Sequence, residues 1–200
     1  MPQFDLRGIK AAEYINNNGV VTHGTAQPVG DAMTANLEMR YAEGRLYAES
    51  TLAEFMKKAT GGTISLGVKY IKDDAQKLMF GSRAKNRSVS YTPSAGGATA
   101  TATVASLVLG GKTDSKYVSV AFYAPDMVDG VEKYTCVYVP KCLFGPPSMT
   151  LQTAGENIQF NTPTTSGEFL ADDTNNQDML EVAICDDENA AIAWVTAVLS

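Results

Sequence analysis

The stretch Thr63-Ile-Ser-Leu-Gly-Val-Lys-Tyr70 carries apolar side chains at every second position. The stretch Ala32 to Met39 alternates in the same way, with apolar residues at positions 33, 35, 37 and 39. A period of two residues is typical of a β-strand that buries one face and leaves the other in water. The two stretches therefore predict two strands of a sheet with one wet face.

Similar short runs recur along the chain and are separated by Gly, Pro, Asn and Asp. Many short strands with such turn residues between them are typical of a sandwich or a barrel. The sequence therefore predicts a mainly β fold, either a β-sandwich or a partly rolled barrel. The further predicted strands cover residues 19–24, 101–109, 117–123, 132–139, 141–144, 148–153, 157–162, 166–170 and 180–184.

Turn and cap residues mark one hairpin and two helices. Asp129-Gly130 supplies the positive φ angles of a tight turn, which predicts a hairpin over residues 122–132. Residues 71–81 have aspartates near their start, apolar residues on one side and Gly81 as a C-cap, which predicts a short helix packed on the sheet. Residues 185–199 begin with an acidic turn and predict a second helix that ends the chain. The apolar residues are Ala75, Leu78 and Met79 in the first helix, and Ala191, Ile192, Val195 and Leu199 in the second.

Two stretches show no clear pattern. The first, Arg40 to Gly62, mixes charges with aromatic residues between two predicted strands, and a loop of this length usually has a function. The second, Arg83 to Lys116, contains a run of Ala, Gly and Thr that suits either a flexible linker or a strand with small side chains. We predict a long loop at 40–62 and a variable insertion at 83–116.

The chain has 200 residues, which is the size of one globular domain. Its net charge is −6, and the charge is unevenly distributed. Residues 1–120 carry 14 basic and 10 acidic side chains, whereas residues 121–200 carry 2 basic and 12 acidic ones. An acidic surface repels nucleic-acid phosphates, which argues against ordinary DNA binding. An acidic charge is compatible with a surface that DNA slides past without binding.

The sequence has no apolar run long enough for a membrane span, and its first residues lack the pattern of a signal peptide. We therefore expect the protein to be made and kept in a cytoplasm. The three cysteines, Cys136, Cys142 and Cys185, are an odd number without metal-ligand spacing. We expect them to be reduced and to act as small apolar fillers.

No motif in the sequence predicts a catalytic, cofactor-binding or metal-binding residue. The single histidine, His23, has no nucleophile or metal partner at a known spacing. The acidic stretch Asp172 to Asp178 lacks the central glycine and final glutamate of a calcium loop, so we interpret it as a solvated loop. Gly110-Gly-Lys-Thr113 lacks the first glycine of a phosphate-binding loop, because Ser106 stands at that position. The prediction is a protein that is not an enzyme.

The order of the predicted strands, helix and hairpin along the chain resembles that of a known protein family. A strand from Thr63 to Val68 leads into a helix ending at Gly81, and a variable segment follows. A strand and hairpin from Val118 to Tyr138 come next, followed by the segment Gly145 to Phe169. This arrangement, over residues 6–170, resembles the phi13-type major tail proteins of siphophages and their prophages. Arg45-Leu-Tyr-Ala-Glu49 resembles that family's Tyr-Ala-Asp segment. The chain departs from the family at Cys136 and Tyr138, where relatives often have tryptophan, and in a longer Ala-Thr run at 95–104.

The resemblance implies a single domain of the tail tube type over residues 1–200, a β-sandwich or partly rolled barrel with a flanking helix. It implies hexameric rings that stack into a tube through which DNA passes during ejection, and a place in the virion after assembly in the host cytoplasm. The implied partners are other copies of the chain and tail proteins such as tape-measure and terminator proteins. Genomic DNA would pass through without specific binding, and no cofactor or membrane is implied.

Within this expectation the stretch 40–62 is the candidate interface. Tyr and Arg are favoured at the centres of protein interfaces. Our hypothesis is that Tyr41, Arg45, Tyr47 and Phe55 mediate ring stacking, against the simpler interpretation of a mobile surface loop. The alternative function is a soluble β-sandwich module that binds carbohydrate or mediates adhesion. A tube subunit of a phage-derived injection device cannot be separated from a phage tail by sequence.

Overall fold

A computed structural model describes the chain over residues 5–48, 51–94, 96–111, 114–149 and 162–200. Within these residues the chain is mainly β, with eleven strands and two helices. The strands are β1 (Arg7–Asn17), β2 (Val20–His23), β3 (Gln27–Pro28), β4 (Ala32–Ala48), β5 (Thr51–Val68), β6 (Arg83–Tyr91), β7 (Ala100–Val108), β8 (Val118–Val128), β9 (Val131–Phe144), β10 (Thr164–Leu170) and β11 (Glu181–Cys185). The helices are α1 (Asp73–Phe80) and α2 (Glu188–Ala197).

Nine of these strands form one antiparallel sheet in the order β2-β1-β8-β9-β10-β5-β4, with β3 added beside β1 and β11 beside β9. The remaining two, β6 and β7, pair only with each other. The large sheet folds over itself, because Ile64 and Leu66 of β5 share one core with Val118 and Val120 of β8. The two end strands, β2 and β4, are not paired with each other in the described part of the chain. The predicted mainly β, sandwich-like fold is confirmed.

Two hydrophobic clusters hold the sheet and the helices together. The larger cluster lies inside the folded sheet, and α1 adds Ala75, Met79 and Phe80 to it. The smaller cluster lies on the other face of β8 and β9, under α2. Burying each large aliphatic or aromatic side chain contributes about 1.5–3 kcal/mol. The helices are therefore attached mainly through their apolar faces, one on each side of the sheet.

Both predicted helices form, and their ends follow the expected chemistry. Gly81 ends α1 with a φ of 64°, and its N–H donates to the carbonyl of Gln76. Asp187 caps α2 by accepting a hydrogen bond from the backbone N–H of Asn189. The predicted stripe of α2 is wrong at Ile192, which is 42% exposed. The buried positions 191, 195 and 199 repeat every four residues, and Ile192 lies off that line.

The β8–β9 hairpin forms as predicted, with φ angles of 52° at Asp129 and 79° at Gly130. Strands 132–139 and 141–144 were predicted as separate, but β9 is one strand that runs through Pro140. The β8–β9 register shifts between Val118 and Val120, opposite this proline, and the Ser119 hydroxyl donates to the Pro140 carbonyl at 2.5 Å. A bulge tolerates proline because the local ladder is already interrupted.

The remaining predicted strands and the 83–116 insertion can also be compared with the structure. The predicted strands at 19–24, 101–109, 166–170 and 180–184 correspond to β2, β7, β10 and β11. The predicted strands at 148–153 and 157–162 lie mostly outside the described residues. The 83–116 insertion contains the β6–β7 hairpin, so the Ala-Thr run from Ala100 onward is part of a strand with small side chains rather than a linker. Among the described residues, no helix is long and apolar enough to cross a lipid bilayer.

Candidate functional site

The candidate interface stretch 40–62 is a β-hairpin and not the predicted loop. β4 and β5 pair from Tyr41 opposite Ala59 to Ala48 opposite Thr51, with one register shift between Leu46 and Tyr47. β10 pairs with β5 only over Gly62–Gly67, so the rest of the hairpin extends beyond the large sheet. We call residues 40–48 and 51–61 the β4–β5 arm. Apolar and polar residues do not alternate clearly in the sequence of this hairpin, because one of its faces mixes aromatic and charged residues.

A β-bulge marks the base of the β4–β5 arm. Arg40 lies opposite Gly61 and Tyr41 lies opposite Ala59, which leaves Thr60 as an extra residue of β5. The Thr60 hydroxyl donates to the Arg40 carbonyl at 3.3 Å. Gly61 has a φ of 131°, a conformation that favours glycine. Gly61 and Gly62 thus have a structural role at this junction.

The ring of Phe169 closes the junction from β10. Phe169 is fully buried, and a Cβ atom on Gly62 would overlap both its ring and the carbonyl oxygen of Glu38. On the outer side, the Arg40 guanidinium binds the Glu168 carboxylate at 2.8 Å, which links β4 to β10 across β5. Because both partners are more than half exposed, this pair adds little stability. The close packing of Phe169 on Gly62 is the stronger constraint.

One face of the β4–β5 arm carries a row of alternating aromatic and charged side chains. The Lys57 ammonium lies 4.3 Å from the ring centroid of Tyr41 and 3.5 Å from the Glu43 carboxylate. Glu43 also binds the Arg45 guanidinium at 3.4 Å, and that guanidinium lies 5.6 Å from the ring centroid of Phe55. We call these five residues the arm ladder. Cation–π contacts and ion pairs between exposed groups each contribute about 1 kcal/mol or less, so the ladder orders the face more than it stabilises the fold.

The structure brings together three of the four predicted interface residues. Tyr41, Arg45 and Phe55 belong to the arm ladder, whereas Tyr47 lies two residues beyond Arg45 on the same face and is 60% exposed. Sequence reasoning missed Glu43 and Lys57 as members of this site. Their opposite charges are a signal only once the register that pairs them across the strands is known.

The opposite face of the arm is also apolar in part. Leu46 is 58% exposed and Met56 is 74% exposed. Side chains of this size left in water on both faces of a two-stranded ribbon are unusual in a domain that works alone. The arm therefore has the properties of a segment that packs against another molecule.

His23 lies away from the arm and contacts the second core cluster. Its Nε2 atom is 3.0 Å from the hydroxyl oxygen of Tyr138, and the two rings meet edge to face. Burial lowers the pKa of His23, and a backbone hydrogen bond with Ser200 offsets part of this shift. These contacts give the histidine a packing role next to the end of the chain.

The carboxylates of the 172–178 loop bind groups of the protein itself. The Asp172 carboxylate accepts hydrogen bonds from the backbone N–H groups of Thr174 and Asp178. Asp173 pairs with Lys141 at 2.7 Å and accepts from the Tyr14 hydroxyl at 3.0 Å. Over the described ranges, no group of three or more His, Cys, Asp or Glu residues is placed to hold a metal ion.

The cysteines pack as small apolar residues. Cys136 and Cys142 are fully buried in the two core clusters, and Cys185 is half-buried. The Cys136 thiol donates a weak hydrogen bond to the Cys185 sulfur at 3.8 Å, and the two cysteines form no disulfide. Burial raises the pKa of the Cys136 thiol to about 12, so this thiol is protonated at neutral pH and chemically unreactive.

No protein-family model matches the sequence, and no curated protein matches it. Function must therefore be inferred from the sequence pattern, the fold and the β4–β5 arm.

Proposed function

We propose that this chain is the structural subunit of a bacteriophage tail tube, forming stacked hexameric rings around a channel for DNA. The observation that carries the proposal is the β4–β5 arm, which extends beyond the sheet and exposes Tyr41, Tyr47 and Phe55. A projecting segment of this kind can contact the next ring when identical rings stack. The ordered resemblance of residues 6–170 to siphophage major tail proteins supports the same function.

The sheet supplies a second argument for assembly. Its path has open strand edges at β2 and β4 in the described structure. Open edges attract other strands, and a closed ring of subunits protects them. Edge pairing between subunits would then build each ring, while the arms would connect one ring to the next.

The charge distribution fits passage of DNA without binding. The net charge of −6 repels phosphates, and the excess of acidic groups is concentrated in residues 121–200. A tube of such subunits would let DNA slide with little friction. Strong retention of the assembled protein on DNA at physiological salt would contradict this part of the proposal.

Electron microscopy of the purified protein tests the proposal directly. We expect negatively stained samples to contain rings or tubes with an open channel. The double variant Tyr47→Ala/Phe55→Ala should fold and form no tubes, because it removes two exposed aromatic contacts and no core residue. The matched control is Tyr70→Ala/Met127→Ala, which truncates two similarly exposed side chains outside the arm. Tubes of normal length from the arm variant would exclude the arm as the stacking contact.

The carbohydrate-binding or adhesion alternative has less support in the arm. Sugar rings stack on open aromatic faces, but cationic groups of Lys57 and Arg45 lie over the rings of Tyr41 and Phe55. A protein that stays monomeric at high concentration and binds a sugar would favour this alternative over the tube.

A further inference from the structure

The β6–β7 hairpin is a second ribbon that lacks support within its own chain. Its strands pair only with each other in the described structure, and all nine residues of β6 are exposed. An isolated two-stranded ribbon is marginally stable in water and gains stability from a third strand or a packing surface. This ribbon is therefore a candidate for a contact that one copy of the chain does not provide.

The outer edge of β7 has none of the features that protect a free strand edge. Natural edge strands carry charged residues, proline or a β-bulge, each of which discourages a further strand from pairing. The sequence of β7, Ala100-Thr-Ala-Thr-Val-Ala-Ser-Leu-Val108, has no charged residue and no proline, and its register with β6 contains no bulge. Every other strand of five or more residues in the described ranges contains a charged residue, and β6 contains Arg83, Lys85 and Arg87. The β7 edge of the ribbon is therefore the one suited to accept another strand.

The large sheet has an open edge at β4, over residues 32–39, where its core is incompletely covered. In the described part of the chain, β4 pairs with β5 on one side and with no strand on the other. Leu37 lies directly opposite Ile64 of β5, and both side chains contact the larger core cluster. Ile64 is completely buried, whereas Leu37 is only half-buried, and Leu66 and Ala35 show the same contrast. A strand added outside β4 would cover the exposed parts of Ala35 and Leu37.

We propose that β7 of one copy pairs with the free edge of β4, at residues 32–39, of a second copy. The two segments have nine and eight residues, so one can pair along the full length of the other. Strand addition supplies backbone hydrogen bonds along the edge and places alternate side chains of β7 beside Ala35 and Leu37. The β4 segment carries one charge, on Glu38, which would meet no like charge on β7.

The other free edges of the described sheet fit β7 less well. β2 has four residues and β11 has five, and the β4–β5 arm carries charges of both signs. Pairing of β7 with β4 joins two different edges, so the contact repeats from copy to copy and closes into a ring where the rotation allows. The inference rests on the proposed function, because it names the strands that join neighbouring copies within a ring.

Charges placed on β7 test the contact. Thr103→Glu/Val104→Glu puts one carboxylate on each face of the strand, so one would lie against the half-buried core side of β4 and the other on the side that carries Glu38. The protein concentration needed for assembly should rise by about tenfold or more. Ser88→Glu/Val89→Glu makes the equivalent changes on β6 and is the matched control, which should have little effect, since all four residues are exposed. Circular dichroism of each variant checks that folding is retained.

A photo-cross-linker identifies the partner strand. Isotopically light chains with a benzophenone amino acid in place of Val104 are mixed with heavy wild-type chains, assembled and irradiated. Mass spectrometry then locates the cross-links between light and heavy chains. We expect these cross-links at residues 32–39 of the heavy chain. Cross-links at β2, at β11 or at β7 of the heavy chain would overturn the inference.

The outcomes separate this inference from the proposed function. Tubes that form equally well with Thr103→Glu/Val104→Glu, or whose cross-links lie outside residues 32–39, would overturn the inference and leave the proposed function standing. Closed oligomers that carry the expected cross-link but never stack into tubes would support the inference and overturn the tube. A wild type that remains monomeric overturns both.

Discussion

At the scale of single residues, Gly62 shows how close packing fixes the base of the arm. Any side chain at this position meets the Phe169 ring and a backbone carbonyl, neither of which has free space to move into. Gly44, in the middle of the arm, has no heavy atom within 4 Å of the position that a Cβ would occupy. The two glycines of the same hairpin are therefore expected to respond differently to substitution.

We predict that Gly62→Ala lowers the free energy of unfolding by about 1–3 kcal/mol, the usual cost of overpacking. Gly44→Ala should change it by less than about 0.5 kcal/mol, as is usual for open surface positions. Urea denaturation followed by circular dichroism measures both values. Equal effects of the two substitutions would mean that the junction is not closely packed.

His23 makes stability depend on pH. Burial lowers its pKa in the folded protein, so below its ordinary value the unfolded chain binds more protons than the folded one. Stability is therefore fully present above about pH 6.5 and falls as the pH decreases through the lowered pKa.

We predict that the Tm of the wild type falls between about pH 7.5 and pH 5.5 and that the fall is smaller in His23→Gln. Differential scanning fluorimetry of both proteins at matched ionic strength measures this difference. Glu188 and Asp173 have lowered pKa values, so they contribute only at more acidic pH. Parallel pH profiles of the two proteins would show that His23 is charged or exposed in the fold.

At the scale of elements, α2 depends on one line of contacts. Ala191, Val195 and Leu199 are buried against Ala121, Cys136 and Tyr138, whereas Ile192 faces water. The buried and exposed sides of α2 differ little in hydrophobicity, because alanines occupy much of the exposed side. Sequence alone therefore placed Ile192 on the wrong face.

We predict that Leu199→Ala destabilises the fold by about 2–4 kcal/mol, because it leaves a cavity under the end of α2. Ile192→Ala removes a similar volume from an exposed position and should cost less than about 0.5 kcal/mol. Thermal or urea denaturation distinguishes the two substitutions. A larger effect at Ile192 would restore the stripe that the sequence suggested.

Sequence reasoning identified most strands where one face is apolar and the other polar. It missed β1, because this strand is covered on both faces: Ala11 packs in the larger cluster and Ala12 in the smaller one. It missed β6 and the distal part of β4 and β5, because these segments are exposed on both faces and show no burial pattern. Strands outside the core lack the signal on which prediction from sequence depends.

At the scale of the whole molecule, the sequence predicted the fold class but not the pairing order. The neighbours β10 and β5 are separated by almost one hundred residues, so no local turn signals their contact. The β4–β5 arm and the β6–β7 hairpin share two features that only the complete fold reveals. Both leave the large sheet, and both expose side chains that an isolated domain would bury.

We predict that hydrogen exchange reports assembly in these two ribbons and not in the core. In the monomer, backbone amides of residues 40–61 and 83–108 should exchange quickly, and those of β8 and the paired part of β9 slowly. In assembled tubes the two ribbons should become protected, while the core remains unchanged. Mass spectrometry of peptic fragments measures both states, and protection of the ribbons already present in the monomer would contradict their role in assembly.

The bulge at Thr60 affects the direction in which the β4–β5 arm leaves the sheet but not which side chains pair across it. Ala59 already lies opposite Tyr41, so deleting Thr60 would keep every cross-strand partner and straighten only the exit of the arm. The side chains that the arm presents depend on strand alternation, whereas the direction in which it leaves the sheet depends on the residue inserted at its base. In the proposed tube, the rise and rotation between successive rings would then be adjustable by a single deletion, which makes Thr60 a design position for nanotubes of altered pitch.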